Sequence, residues 1–524
     1  MDQLWHDLTH KYNRWTLAAI VVVGAAFRLY HLETFAIWRD EAQTIFLARH
    51  SFPGGILAAL MYADVSPPLY YFLLHFWDQA IGSDWGLRFL SVAFGLVSIP
   101  LLYWVGRMMF DAEVAVLAAL VGALSPHHIV VSRTVRMYTL LPLISLVALY
   151  FTLRFVTAHD TERESRGWLR DADWWGVVLS LVAVLYTHIM GALLVLCANL
   201  FFAWEFIRLK ETRKLLWPWI VAQLCVVLLY TPWLPTLLQQ LRSQGAVMGP
   251  WLPHQSRLGN ILRLFNELTG LAWPGDRPWL WLAVCALGVL SVRLRPRLVA
   301  LYWRLHPSLD LVLLCFAGPI VLAALATPRS IGMIPSYVTL VAFPAMCYLV
   351  ARGVNAVRPR TLSLLLLAAL IVVWVRTVSV TYTRRTSNLR EIASYVSAEI
   401  ARDDVIVIAP DYLASSFNYY YDGPQEQIAF PSTFGRVEDI TWVGWEERWK
   451  NAAQSIEPTI QYLASDLQEG ERLWFLAPFG GYPGDPYFSQ IRVLKERLDQ
   501  IYGPPRSVGS FPPAVEYAEV YVYG

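Results

Sequence analysis

The sequence predicts a polytopic α-helical membrane protein of about 11 spans, with outer interfacial helices and a small C-terminal α/β extracytoplasmic domain. Three observations predict it. Of the 524 residues, 56% are hydrophobic and only 16% charged, against about 25% charged in soluble domains, and the mean hydropathy is +0.42. Apolar runs of bilayer length recur as far as residue 380. Beyond residue 381 they give way to short amphipathic and alternating runs, so the chain divides into a membrane module, 1–380, and an outer α/β domain, 381–524.

The first span, 15–31, follows Lys11 and Arg14. No small-residue cleavage site precedes Arg39, so it reads as a retained anchor. Further spans are read at 87–106, 112–126, 135–156, 173–189, 191–207, 215–232, 278–292, 309–327, 332–350 and 361–380. With the N-terminus cytoplasmic, the inner loops carry Arg154, Arg163, Arg166 and Arg170, then Arg208, Lys210, Arg213 and Lys214, then Arg293, Arg295, Arg297 and Arg304. Their basic density is about twice that of the outer loops, as the positive-inside rule requires. An odd span count then exports the C-terminal domain across the plasma membrane.

Residues 67–82 are apolar enough to cross, but crossing would invert every later loop. They also carry His75, Asp78 and Gln79, so they read as a helix lying flat on the outer face. Residues 41–61 read as another, with Ile45, Phe46, Leu57 and Leu60 as membrane anchors. The first outer loop, 31–86, is thus long enough to suggest a function. In the C-terminal domain, 388–402 and 490–501 read as helices. There 404–410 and 473–477 read as buried strands, and 516–523 as an edge strand.

The net charge of +2 and the lack of a basic arm exclude a nucleic-acid partner. Cys197, Cys225, Cys285, Cys315 and Cys347 all fall in apolar runs without metal-ligand spacing and read as core residues.

Candidate chemistry collects on the outer side. Asp40 and Glu41 stand at the mouth of the first outer loop. Adjacent helical residues point about 100° apart, so one of them faces a given substrate. Asp40 is the candidate base; the alternative is a helix cap. Asp64, before Ser66-Pro67-Pro68-Leu69-Tyr70-Tyr71, is either a cap or a second acid near the acceptor. Arg133 and Arg136, three apart, share a face if helical. They read as a bidentate phosphate site or as snorkelling anchors. Glu41, Tyr138, His188 and Arg329 complete the candidate substrate-binding set, and Tyr337 flanks the turn that carries Arg329. His127 and His128 lack a third ligand, so no metal site is assigned. The aromatic loop 233–277 suits a membrane belt or sugar stacking equally well.

The order Trp38-x-Asp40-Glu41-Ala42, Asp64-x-x-Pro67-Pro68-Leu69-Tyr70-Tyr71, Arg88-x-x-Ser91, Gly106-Arg107-x-x-Phe110, Ser125-Pro126 and Arg133 to Tyr138 resembles the GT-C glycosyltransferases. Within these it is most similar to the branch of protein O-mannosyltransferases and lipid A aminoarabinose transferases. The pattern agreement covers about residues 15–210. The resemblance implies a polyprenyl-phosphate sugar donor with no other cofactor. It also implies membrane lipid and an acceptor glycan, lipid or protein as partners, with Asp40 as base. Relatives often carry an Asp where this chain has Tyr138, and His or Lys where it has Ser66, so neither a second catalytic carboxylate nor a metal site is carried over. A rival from another class, a transporter of lipid-linked sugar, predicts inverted repeats and mid-membrane charges; no repeat is visible.

Overall fold

The computed structural model describes residues 2–157, 167–243, 256–269, 278–289, 291–295, 298–302, 306–327, 336–431, 433–441, 444–478 and 486–524. Seven described helices are long and apolar enough to cross a membrane: Asp84–Met109, Leu140–Thr157, Gly191–Arg208, Glu211–Arg242, Pro307–Ala326, Val338–Ala356 and Arg360–Thr381. An eighth span is broken. Ala112–Leu124 and Pro126–Ser132 meet at a 54° bend, where Pro126 starts the second piece and the Ser125 side chain caps it. The expected spans at 15–31, 173–189 and 278–292 correspond to shorter helices, Asn13–Leu29, Ala172–Thr187 and Pro278–Val289. By length, then, seven of the 11 expected spans pass among the described residues, eight if the bent pair is one span, and the other three stand as these shorter helices.

Burial sorts these helices. Val338–Ala356 is 89% buried over its apolar window and forms the centre, while Arg360–Thr381 is 22% buried and lies outside. The central helix admits Pro278–Val289 closely because Gly353 and Gly288 face one another's backbones; a Cβ at either would collide with the Val284 or Leu349 carbonyl. Trp15, Trp104, Ile207, Trp217, Leu228 and Leu365 remain well exposed, as side chains facing lipid do.

The first loop is helical, as expected, in three pieces: Arg39–Arg49, Gly54–Ala63 and Leu69–Ala80. At 12 residues the last spans about 18 Å, too short for a crossing. The expected membrane anchors are corrected. Ile45, Phe46 and Leu60 are buried in the main core, and only Leu57 is partly exposed. The reason is that Arg39–Arg49 lies under the C-terminal region, with Phe46 against Tyr419, while Gly54–Ala63 packs on Arg39–Arg49 and Leu234–Ser243.

That region is built on a six-stranded sheet in the order Thr433–Phe434, Glu426–Ala429, Val405–Ile408, Leu473–Ala477, Glu519–Tyr523, Arg506–Val508. Val405–Ile408 pairs in parallel with both neighbours, and the outer pairs are antiparallel. All four of its residues are buried, since helices cover both sheet faces. Glu519–Tyr523, expected at the edge, is an inner strand because Arg506–Val508 pairs outside it.

Candidate functional site

Two buried ion pairs fix the first loop. Glu41, 0% exposed, receives Arg88 in a fork, Nε to Oε1 at 2.9 Å and Nη2 to Oε2 at 2.7 Å. The same carboxylate accepts the Val135 N–H at 2.9 Å and the Trp38 N–H at 3.4 Å. Arg88 spends its remaining donors on the carbonyls of Leu32, Phe35 and Ala36. Both partners are fully engaged, so the structure corrects the reading of Glu41 as a substrate ligand. It locks the start of Arg39–Arg49 to the bundle.

The second pair is Asp64 with Arg136, Oδ2 to Nη1 at 3.0 Å. Asp64 also accepts from Tyr71 and from the Val65 N–H. Burial alone raises its pKa, but Arg136 and these hydrogen bonds together hold it below the ordinary carboxylate range. Arg136 Nη1 also reaches Thr44 Oγ1 at 2.8 Å, and Thr44 Oγ1 donates to the Asp40 carbonyl at 2.7 Å. Arg136 Nε lies 3.4 Å from the Tyr138 hydroxyl. Its Nη2 has no hydrogen bond among the described residues.

Asp40 stands in the first turn of Arg39–Arg49. Its nearest charged neighbour is its own chain neighbour, Arg39 Nε, at 3.5 Å, and the side chain is 22% exposed. Among the described residues its carboxylate accepts no hydrogen bond. It acts electrostatically on Arg136, Tyr138 and Tyr337, so these groups lie close together, and the space they surround is the chamber. Tyr138 and Tyr337 stack at 5.3 Å, and His188 packs on Tyr337 at 5.1 Å. His188 Nδ1 accepts the Met190 N–H at 3.1 Å, which leaves the proton on Nε2.

The structure thus brings Asp40, Asp64, Arg136, Tyr138 and His188 together. It does not bring Arg133. Residues 133–139 are not helical, so the two arginines diverge. Arg133 bonds the carbonyls of Arg28, Tyr30 and His31 at the end of Asn13–Leu29, and its guanidinium lies 4.7 Å over Tyr382. That corrects its expected phosphate role. Arg329 lies outside the described residues. His127 and His128 separate: His128 stacks on Phe343 at 4.5 Å, while His127 faces Thr339. Among the described residues no group of three or more His, Cys, Asp or Glu could hold a metal ion.

Sequence reasoning missed Arg88, Thr44, Tyr71 and Glu516. Arg88 carried a signal, since a cation inside an apolar helix requires a named partner. Glu516 carried none. It accepts the Arg39 N–H at 3.2 Å, across 477 residues of chain. The C-terminal region makes further contacts with the loop. Tyr420 Oη accepts the Ile37 N–H at 2.7 Å, Thr386 bonds the Ala36 carbonyl, and the Gln43 amide pairs with the Ile440 backbone.

Residues 65–235 match the family described as dolichyl-phosphate-mannose-protein mannosyltransferase. No curated protein matches the sequence. Among solved structures, apo ArnT from Cupriavidus metallidurans aligns over 98% of both chains at 14% identity and TM-score 0.60. The same protein bound to undecaprenyl phosphate aligns over 98% of both at 13% identity and TM-score 0.56. An oligosaccharyltransferase from Archaeoglobus fulgidus, in complex with Zn and sulfate, aligns over 96% of this chain and 73% of its own at 12% identity and TM-score 0.55. These likenesses establish the fold. The resemblance to GT-C glycosyltransferases is matched in sequence over residues 65–235, beyond the Trp38 to Ala42 motif, and in fold along the chain.

Proposed function

We propose that this chain is an inverting membrane glycosyltransferase that moves a sugar from a polyprenyl-phosphate donor to an acceptor hydroxyl on the outer membrane face. The observation that carries the reading is the nearness of a carboxylate that accepts no hydrogen bond among the described residues, Asp40, to a buried arginine, Arg136, whose hydrogen bonds among those residues use Nε and Nη1 and leave Nη2 for a ligand. Asp40 takes the proton of the acceptor O–H as that oxygen bonds to the anomeric carbon. The anomeric carbon–oxygen bond to phosphate breaks, and its electron pair leaves as polyprenyl phosphate. Arg136 stabilises the phosphate charge by hydrogen bonding, so no acid is required. One base and in-line attack invert the anomeric centre.

Asp64 keeps Arg136 oriented rather than acting as a second base, since its oxygens are taken by Arg136, Tyr71 and Val65. His188 Nε2–H and the Tyr337 hydroxyl supply neutral donors for the sugar. ArnT bound to undecaprenyl phosphate and the mannosyltransferase family over 65–235 support a lipid-linked donor. The membrane module, 1–380, has its N-terminus in the cytoplasm, and the domain 381–524 covers the site from outside. A lipid-sugar transporter would use a broken span to hold its cargo. Here the carbonyls freed at the break, of Gly122 and Ala123, are taken by Arg28.

The test is a membrane assay with a panel of radiolabelled polyprenyl-phosphate sugars, read by release of polyprenyl phosphate. Transfer by the intact protein and its loss in Asp40→Asn are expected. Normal turnover in the variant would remove Asp40 from the mechanism.

A further inference from the structure

Next to Asp40 in the chain, a cleft of about 540 Å³ opens between Trp38 and Arg39 of the first loop and the C-terminal region. Its walls include Trp38, Arg39, Tyr412, Phe511 and Glu516. The volume falls within the range of small-ligand sites. Arg39 links the two spaces: its Nε is 3.5 Å from the Asp40 carboxylate, and its guanidinium lies 4.6 Å over the Tyr412 ring.

Resting on the function proposed above, we infer that this cleft is the acceptor subsite and that its occupant is a saccharide. The cleft adjoins Asp40, so a bound ring can present a hydroxyl to the base. The lining combines the two things a pyranose or furanose requires. Aromatic faces of Trp38, Tyr412 and Phe511 meet its C–H surface, and charged or hydroxyl groups of Arg39, Glu516 and Tyr517 meet its hydroxyls. An alkyl chain gains nothing from a buried carboxylate and a guanidinium in its wall. The lipid also has its own route, along the exposed apolar helices. In-line displacement then sets the acceptor hydroxyl, with Asp40 behind it, on the face of the anomeric carbon opposite the leaving phosphate. Both walls come from segments far apart in sequence, so the subsite exists only when the C-terminal region is docked.

Saturation-transfer NMR on the full chain, in a sugar-free detergent, tests this. The probes are methyl glucoside, methyl mannoside and methyl arabinoside, with N-acetylserine methylamide as peptide rival and geranylgeranyl phosphate as lipid probe. Transfer to the glycoside C–H protons is expected. It should fall at least fivefold in Phe511→Leu and Tyr412→Ala, with the geranylgeranyl phosphate signal unchanged. Arg136→Lys should do the reverse. Glycosides that receive no transfer, a serine amide that alone binds, or glycoside signals unaltered in both cleft variants would each overturn the saccharide subsite. The donor reading then still stands on the lipid probe. Failure of geranylgeranyl phosphate to bind would overturn the donor reading instead, and the inference with it.

Discussion

Glu41·Arg88 and Asp64·Arg136 are both buried acid–arginine pairs whose acids belong to the first loop, as Asp40 does, yet they differ in what is left over. In the first, both carboxylate oxygens and every guanidinium nitrogen are engaged by protein. In the second, Arg136 uses Nε and Nη1 and keeps Nη2 open. A saturated pair can only hold the fold together. A pair with spare capacity can also hold a ligand. Burial does not separate these roles, since both arginines are well hidden; the hydrogen-bond census does.

The largest effect that bears on this contrast belongs to the group both pairs position. Asp40→Asn should lower transfer about 10²- to 10⁴-fold with an unchanged melting curve, read by polyprenyl-phosphate release and by thermal unfolding in detergent. Next, Glu41→Gln leaves the Arg88 charge unpaired and should cost about 3–5 kcal/mol of stability. A melting temperature equal to that of the parent would break the contrast. Arg136→Lys keeps a cation for Asp64 but loses the open fork. The donor KM should rise about 10- to 100-fold, with stability barely altered.

A smaller effect comes from Glu516. Burial, opposed by Arg39 and by the Ser387 and Ser416 hydroxyls, pushes its carboxyl up to about 7. A raised acid binds its proton more tightly folded than unfolded. Its contribution is therefore fully present below about pH 4.5 and is lost as pH rises through 7, at about 1.4 kcal/mol per pH unit between the two values. The melting temperature of Glu516→Gln relative to the parent should climb over that window; a constant difference would contradict the burial of this group. Smallest of all, Arg133→Ala removes a helix-end cap worth about 1 kcal/mol and should leave the donor KM unchanged in the transfer assay.

Much of this was legible in the chain. The long spans, the helical first loop and the strand 473–477 follow from apolar run length and period. The prediction that only one of Asp40 and Glu41 faces the chamber follows from helical geometry, and Arg39–Arg49 obeys it. Arg133 and Arg136 were misjudged together because their spacing implies a shared face only on a helix, and the chain there turns instead. Ile45 and Phe46 read as lipid anchors because nothing local reveals that a region hundreds of residues away covers their helix, and Leu60 because nothing local reveals the helix 234–243 beside it. Glu516 was invisible for the same reason. Periodicity reports what an element buries, not which distant element buries it.

The stitch from Glu516 to Arg39 has a consequence for biosynthesis. The opening loop is made early, but the carboxylate that closes its first helical turn is made 477 residues later. Until then Asp40 sits on an incompletely capped helix under an unroofed chamber. A chain halted before residue 516 would therefore carry a first loop that inserts but stays unfinished, so that the order of synthesis itself delays the site.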